Sequence, residues 1–266
     1  MDLVRPQAVT HDTCRRWAWV LSLGLPELFT GKLKRLKGRM TKIHDFGESY
    51  QMYLKAAAEL EHGSQSIPVP AIADRLGVAT VSASEMIHRL QDRGMIRHQP
   101  YKGVRLTTKG RQAAALVVLA HRLWERFLVD HLELGWVEAH DIACDLEHLS
   151  GPRVVEALDA FLDRPAICPH GNPIPRGSNG GRHPGLRRLS DCQAGEPGRI
   201  ACIHPESAPV LEALAARSLL PGVSFTVTEI ELFDGPRSLL VDGELTTLGR
   251  KLADHIWFQP VCDGDD

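Results

Sequence analysis

The sequence of 266 residues predicts a mainly α-helical protein with small β parts: a winged helix-turn-helix, a helical unit and a small β-barrel. Residues 70–107 have the pattern of two short helices followed by a hairpin. Residues 107–162 keep helical periodicity, and residues 189–260 alternate as short strands around one helix. A hydrophobic content of 43% is enough to bury the cores of two or three domains.

The first part of the chain is the least informative. Arg15 and Arg16 precede an apolar run, residues 17–25, that resembles a signal peptide, but no small-residue cleavage motif follows and the run is too short to span a bilayer. We expect an N-terminal extension of little structure over residues 1–39, with Met40 as the true start. We expect no membrane association, and the six cysteines have no CxxC spacing, which favours a reducing cytosol.

The winged helix-turn-helix is expected over residues 40–110. Pro70 opens its first helix, Gly77 supplies the turn, and the second helix runs from Ser82 to Arg93. Met95 to His98 and Gly103 to Thr107 then alternate as the two strands of the wing.

This unit is basic, because residues 69–111 carry eight Lys or Arg against three acids. A winged helix places the start of its second helix in the DNA major groove and grips phosphates with the wing. The side chains expected nearest base edges are Ser82, Ser84 and Glu85. The expected phosphate contacts are Arg89, Arg97, Lys102, Arg105 and Lys109. Winged helices also dock proteins, and that alternative stays open.

Six potential metal ligands follow at helical spacing. They are His121, Glu125, His140, Cys144, Glu147 and His148. Residues three, four or seven places apart stack on one face of a helix and can converge on a cation. Imidazole, carboxylate and thiolate together favour iron(II), manganese(II) or zinc over calcium or magnesium. The alternative is that each is an ordinary surface or core residue.

The ligands lie on three predicted helices of a domain over residues 111–175. The first runs from Thr107 to Leu132, capped by Thr107 or Thr108; the second begins near Val137, and the third spans about Pro152 to Leu162. Helices this apolar should pack together and leave one face for a twofold partner, so we expect a homodimer.

The strings HRLWERFL, HDIACDLEH and CPHGNPIP (residues 168–175), following the winged helix, resemble the diphtheria-toxin-repressor family of metal-dependent transcriptional regulators over Gly47 to Phe258. The resemblance implies a primary metal site of Met52, Cys144, Glu147 and His148. It implies an ancillary site with helical ligands His121, Glu125 and His140. Members that keep both sulfur ligands look like iron(II) sensors, whereas carboxylates in their place are associated with manganese.

After a linker over residues 176–188, residues 189–260 resemble the SH3-like, FeoA-type (ferrous-transport-associated) β-barrel of longer family members. RIACI, SFTVTEIEL and SLLVDGEL are the expected strands, with a helix from Ser207 to Leu219. Some relatives donate a Glu and a Gln from this domain to the ancillary site. That pattern is absent here, and His204 or Glu206 could substitute.

The implied function is a metal-dependent repressor of metal-homeostasis genes that binds a palindromic double-stranded DNA operator, with Fe(II) or Mn(II) as corepressor. The alternatives are a regulator whose metal sites are structural or vestigial, a metal-dependent activator, and a metallohydrolase using Glu147 or Glu125 as base. HExxH, a Gly-rich phosphate loop and a Ser-His-Asp signature are all absent, which argues against the enzyme.

Overall fold

The computed structural model describes residues 47–61, 63, 65–176 and 185–261. The expected extension over residues 1–39, the start at Met40 and most of the linker lie outside this part. Within it, every cysteine is a free thiol: Cys144, Cys168, Cys192 and Cys202. No helix among the described residues is long and apolar enough to cross a membrane.

The N-terminal domain consists of three helices and a two-stranded wing. Its elements are α1 Glu48–Leu60, α2 Val69–Leu76, α3 Thr80–Asp92, β1 Ile96–Gln99 and β2 Gly103–Leu106. Gly77 ends α2 in the left-handed region, at φ +65°, where a residue without Cβ is favoured. The expected start of α3 at Ser82 is wrong by two residues, because the carbonyl of Ala79 already accepts from the Ala83 amide at 3.0 Å.

Three helices follow: α4 Thr108–Leu132, α5 Trp136–Leu149 and α6 Pro152–Phe161. The expected cap is confirmed, since the Thr107 hydroxyl accepts from the Gly110 amide at 3.1 Å. Small side chains let α5 approach α4 closely, because Ala139 and Ala143 are fully buried against Leu128. This close packing brings the ligand-bearing faces of α4 and α5 together.

The C-terminal domain is a six-stranded antiparallel sheet in the order β3-β8-β4-β5-β6-β7. Its strands are β3 Arg187–Arg188, β4 Pro197–Ile203, β5 Ser224–Ile230, β6 Arg237–Val241, β7 Glu244–Leu248 and β8 Ile256–Pro260. The helices are α7 Ala208–Ala215 and the short α8 Arg250–Ala253. One apolar core, including Leu211, Leu214 and Phe258, fills the space beneath the sheet.

Two expectations for this domain are wrong. SLLVDGEL is a hairpin, not one strand: Asp242 and Gly243 have φ of +48° and +86° and form the two-residue turn between β6 and β7. The helix expected to reach Leu219 ends at Ala215, because Ser218 is left-handed and the Leu219 amide returns to the Leu214 carbonyl at 3.0 Å. Strand β8 lay outside the predicted strands.

Candidate metal centre

The predicted ligands lie on the facing sides of α4 and α5. His121 and Glu125 are one turn apart on α4, and His140 and Cys144 are one turn apart on α5, so each pair shares a helix face. His121, Glu125, His140 and Glu147 are buried, and Cys144 and His148 are half-buried. The contacts divide the centre into two clusters and, between them, a group formed by Cys144, His121 and His140.

The first cluster, Met52, Glu147 and His148, joins α1 to α5. His148 Nε2 lies 3.1 Å from Met52 Sδ and 3.2 Å from Glu147 Oε1. His148 Nδ1 is 2.8 Å from Gln51 Oε1; a proton on Nδ1 would be donated to this oxygen and would leave the Nε2 lone pair directed at the cluster. Glu147 Oε1 is buried without a hydrogen-bond partner. Three donor atoms therefore meet at one point.

Lys55 supplies a positive charge beside this cluster. Its Nζ donates to Glu147 Oε2 at 2.7 Å and lies 3.2 Å from His121 Nδ1. Burial alone would lower the pKa of Lys55, but the negative charges of Glu147 and Cys144 raise it above the ordinary value. The side chain is thus an ammonium ion that links α1 to α4 and α5 through charge.

Cys144 belongs with two histidines. Its Sγ, His121 and His140 offer donor atoms within 4.8 Å of one another, and Sγ is 4.0 Å from His140 Nε2. Burial would raise the pKa of the thiol, but hydrogen bonds from His121 and His140 and the charge of Lys55 lower it to about 6. Cys144 is therefore a thiolate at neutral pH, ready to serve as a soft ligand.

The second cluster is fully buried and joins two domains. Glu125, Cys168, His170 and Glu206 offer donor atoms within 4.8 Å of one another. Glu125 Oε1 lies 2.7 Å from His121 Nε2, 2.9 Å from His140 Nδ1 and 3.1 Å from His170 Nδ1. One carboxylate oxygen thereby gathers three imidazoles.

Glu206 reaches this cluster from the C-terminal domain with help from Asn172 and Arg122. Asn172 Nδ2 donates to Glu206 Oε1 and to the Ile203 carbonyl, both at 2.6 Å. Burial would raise the pKa of Glu206, but the positive charge of the buried Arg122 outweighs it and lowers the pKa. The carboxylate is consequently ionised, as a metal ligand must be.

The second cluster fits a divalent transition metal. Glu125 Oε2 is buried without a hydrogen-bond partner, which a buried polar group rarely tolerates unless something else binds it. The donor set of two carboxylates, one imidazole and one thiol suits manganese(II), iron(II) or zinc. The pKa of Cys168 is raised by burial and by Glu125, so its thiol must lose a proton before it can bind metal.

The sequence reasoning did not assign Cys168 or His170 as ligands, although both lie in the CPHGNPIP string. The signal that could have identified them is a Cys and a His two places apart, followed by a Gly. The structure brings Glu206 into the second cluster, whereas His204 is in neither of the two groups of converging ligands found among the described residues. It places Cys144 with His121 and His140, and Met52 and Glu147 with His148; His121 Nδ1 connects the two groups at 2.7 Å from Glu147 Oε2.

We expect metal binding to release protons. Burial would lower the pKa of His140, but hydrogen bonds to Cys144 and Glu125 raise it to about 9. Burial would likewise lower the pKa of His121, but the charge of Glu125 raises it well above the ordinary value. These rings hold protons at neutral pH and must lose them to bind metal. Apparent manganese(II) affinity should rise about tenfold per pH unit for each proton displaced, up to the pKa.

Calorimetry of manganese(II) binding in two buffers with different ionisation enthalpies measures this release. A binding enthalpy that is the same in both buffers would contradict it.

Lys55→Met should separate the effect of the ammonium on stability from its effect on metal affinity. Glu147 loses its buried charge partner, so in chelator the free energy of unfolding should fall by about 3 kcal/mol. The positive charge beside the first cluster is also gone, so manganese(II) affinity there should rise about tenfold. Thermal unfolding with and without manganese(II) measures both, with the exposed Lys251→Met as control. Weaker manganese(II) binding by the Lys55 variant would show that the ammonium assists the ion.

The structure places the predicted DNA-contacting residues on the surface of the winged helix. Ser82, Glu85 and Arg89 are exposed on α3, and Ser84 is half-buried. Arg97, Lys102, Arg105 and Lys109 are exposed on or beside the wing. Arg97 and Arg105 lie directly opposite each other on β1 and β2, a like-charge pair that an anion would stabilise. Lys109 Nζ also donates to the Arg93 carbonyl at 2.8 Å.

Comparison with known proteins gives matches along most of the chain. Family models described as the iron dependent repressor N-terminal DNA binding domain, the iron dependent repressor metal binding and dimerisation domain, and the FeoA domain match residues 45–104, 107–176 and 187–260. The iron-dependent repressor IdeR of Mycobacterium leprae is 34% identical over 162 residues, which cover 58% of this chain and 70% of that protein. The chain belongs to the diphtheria-toxin-repressor family.

Other members agree in sequence and in fold. The diphtheria toxin repressor of Corynebacterium diphtheriae is 28% identical over 198 residues, covering 72% of this chain and 87% of that protein. A manganese-dependent transcriptional repressor in complex with manganese is similar at a TM-score of 0.72 and 33% identity, covering 80% of this chain and all of that one. ScaR with bound zinc is similar at a TM-score of 0.71 and 29% identity, covering 80% and 99%. The predicted family and fold class are confirmed, and the relatives are metal-dependent transcriptional repressors.

Proposed function

We propose that this protein is a metal-dependent repressor of metal-homeostasis genes, acting in the cytoplasm as a homodimer on a palindromic operator and catalysing no reaction. Iron(II) or manganese(II) is its corepressor. The observation that carries the proposal is the second cluster, whose ligands Glu125, Cys168, His170 and Glu206 come from two domains and include one buried carboxylate oxygen, Glu125 Oε2, without a hydrogen-bond partner.

Each cluster has a mechanical role in this proposal. A bound divalent ion supplies positive charge that offsets the repulsion between the gathered anionic ligands. The first cluster holds α1, the opening helix of the DNA-binding domain, against α5 through Met52, Glu147 and His148. The second cluster holds the C-terminal domain against α4 through Glu206 and Glu125. Occupied clusters therefore restrict how the winged helix is oriented on the helical domain.

The exposed surfaces of the protein support DNA and a second copy of the chain as its partners. Exposed basic residues lie on α3 and the wing, where they can contact phosphates, and Ser82 and Glu85 are exposed where a recognition helix meets base edges. The dimer is supported by apolar side chains that the helical domain leaves exposed: Leu132, Leu149, Val154 and Phe161. Two winged helices fixed by such a face would match two half-sites of a palindrome.

The sulfur groups of Met52 and Cys144 favour iron(II) over manganese(II) among the physiological candidates, because a thioether and a thiolate are soft ligands. The two carboxylates of the second cluster are hard ligands that accept manganese(II) equally well. Iron(II) and manganese(II) therefore both remain within the proposal.

The test measures binding to fragments of the protein's own genome under anaerobic conditions, at buffered free iron(II), manganese(II) or zinc, and after complete chelation. We expect one metal to tighten binding to a specific fragment by at least about tenfold, the scale of ordinary allosteric coupling. Equal affinity with and without metal would refute the corepressor role and would favour purely structural metal sites.

A further inference from the structure

Arg75 connects the second cluster to the helix-turn-helix. It lies in the last turn of α2, and its Nη2 donates to the backbone carbonyl of Glu206 at 2.8 Å. The same guanidinium forks onto Glu59 of α1, with Nε and Nη2 at 2.9 and 2.7 Å from Oε2. A planar guanidinium holds such partners in fixed directions.

The two ends of Glu206 face different parts of the molecule. Its carboxylate lies in the second cluster, where Asn172 and Cys168 contact Oε1 at 2.6 and 3.9 Å. Its carbonyl is bound to Arg75. A displacement of the Glu206 backbone that accompanies cation binding by its carboxylate would therefore move or break the bond to α2.

The segment that carries Glu206 is held firmly by its own domain. The His204 amide donates to the His255 carbonyl at 2.7 Å, His255 Nδ1 is 2.7 Å from the Pro205 carbonyl, and Trp257 Nε1 donates to the His204 carbonyl at 3.1 Å. Movement of Glu206 is thus coupled to the whole C-terminal domain. On the other side, only Gly77, Val78 and Ala79 separate α2 from α3, the proposed reading helix.

We propose that Arg75 is a positioning residue that transmits metal occupancy of the second cluster to the reading helix, through its simultaneous bonds to Glu206 and Glu59. The inference rests on the proposed function, because it assumes that metal binding at the second cluster favours DNA binding. It adds a specific route: the C-terminal domain acts on α2 directly as well as through the helical domain.

The alternative is that Arg75 forms an ordinary structural ion pair. The two roles predict different coupling between metal binding and DNA binding. A structural ion pair contributes to stability alone, so its loss leaves the ratio of DNA affinities with and without metal unchanged. A transmitting residue changes this ratio and leaves the intrinsic metal affinity of the second cluster nearly constant.

The experiment uses the full chain with Arg75→Gln, Arg75→Lys and the control Arg176→Gln. Arg176 is a matched control because it likewise binds a carboxylate, that of Asp159 at 2.7 Å, and a backbone carbonyl, that of Pro165 at 2.7 Å, but does so outside the DNA-binding domain. Manganese(II) affinity is measured calorimetrically without DNA. DNA affinity, with and without manganese(II), is measured on a duplex selected from random sequences by the manganese-loaded wild type.

We expect Arg75→Gln to reduce the manganese stimulation of DNA binding at least about tenfold, with manganese(II) affinity within about threefold of wild type, since coupling of 1–3 kcal/mol corresponds to about 5–150-fold. Arg75→Lys keeps the charge but lacks the two-pronged guanidinium, so its manganese stimulation of DNA binding should lie between those of wild type and Arg75→Gln. Hydrogen exchange should show manganese(II) protecting the amides of α3 in wild type and Arg176→Gln, and not in Arg75→Gln.

Stimulation and α3 protection in Arg75→Gln equal to those of Arg176→Gln would overturn the inference. If Arg75→Gln does not fold, Arg75→Lys decides by the same two measurements. Absence of manganese stimulation in wild type would instead refute the proposed function, so the two failures are distinguishable.

Discussion

Replacing Glu125 with glutamine should reduce metal-stimulated DNA binding by more than about a hundredfold, the largest effect of any single ligand substitution. Loss of a metal ligand, or of the residue that orients a ligand, costs about 10–100-fold in affinity. Glu125 fills both roles. Oε1 orients His121, His140 and His170, and Oε2 is free to bind the ion. The amide keeps the size of the side chain but removes its charge.

The same change should also destabilise the protein. Burial would raise the pKa of Glu125, but His121 and His170 lower it well below the ordinary value, so it is ionised and pairs with buried imidazoles. Breaking such a buried pair costs about 3 kcal/mol in the free energy of unfolding. Urea unfolding in chelator and manganese(II) calorimetry measure the two losses separately. The control is Glu138→Gln, an exposed residue of α5; stimulation within about threefold of wild type in Glu125→Gln would remove Glu125 from the centre.

Gly171→Ala should dismantle the second cluster through the backbone. Gly171 has φ +80°, and an added Cβ would lie 2.0 Å from the Ala201 carbonyl oxygen and 2.9 Å from Cys202 Cα. Both obstacles are backbone atoms of β4, which cannot rotate away. His170 and Asn172 flank this residue, so the segment can accept the methyl group only by withdrawing from β4.

We expect Gly171→Ala to lower the free energy of unfolding by about 4 kcal/mol, combining a left-handed backbone with a backbone collision. Manganese(II) affinity at the second cluster should be lost with it. Gly151→Ala is the matched control, because Gly151 has φ −62° and no atom within 4 Å of the added Cβ; as the N-cap of α6 it should lose no more than about 1 kcal/mol. Equal unfolding midpoints for the two variants would contradict the assignment of Gly171 as an obligatory close approach.

The helical half of the centre was predictable from sequence because its information is local. Helical periodicity and the Thr107 cap placed α4 nearly to the residue, and spacing of three and four placed His121 with Glu125 and His140 with Cys144 on shared faces. The hairpin turn at Asp242-Gly243 was also available, since Asp-Gly between apolar runs is typical of a two-residue turn. Predicting one strand there overlooked that signal.

The other half of the centre depends on contacts between distant segments. Cys168 and His170 join Glu206 because the Ile203 amide donates to the His170 carbonyl at 3.0 Å and Asn172 spans the gap, and no local pattern encodes that meeting. Lys55 could not be anticipated either. A lysine on an amphipathic helix normally points to water, and it is the negative charge of Glu147 and Cys144, both on α5, that favours its burial as an ammonium.

The ammonium of Lys55 cannot diffuse away, unlike an ion taken from solution. It keeps the opening helix attached to the rest of the protein whatever the cell's supply of metal, because it already neutralises the carboxylate it shares with the first cluster. When metal is scarce, the winged helices would then be held less firmly in their DNA-binding orientation, without exposing a hydrophobic core to proteases or aggregation. The protein can therefore release and rebind metal many times within its lifetime.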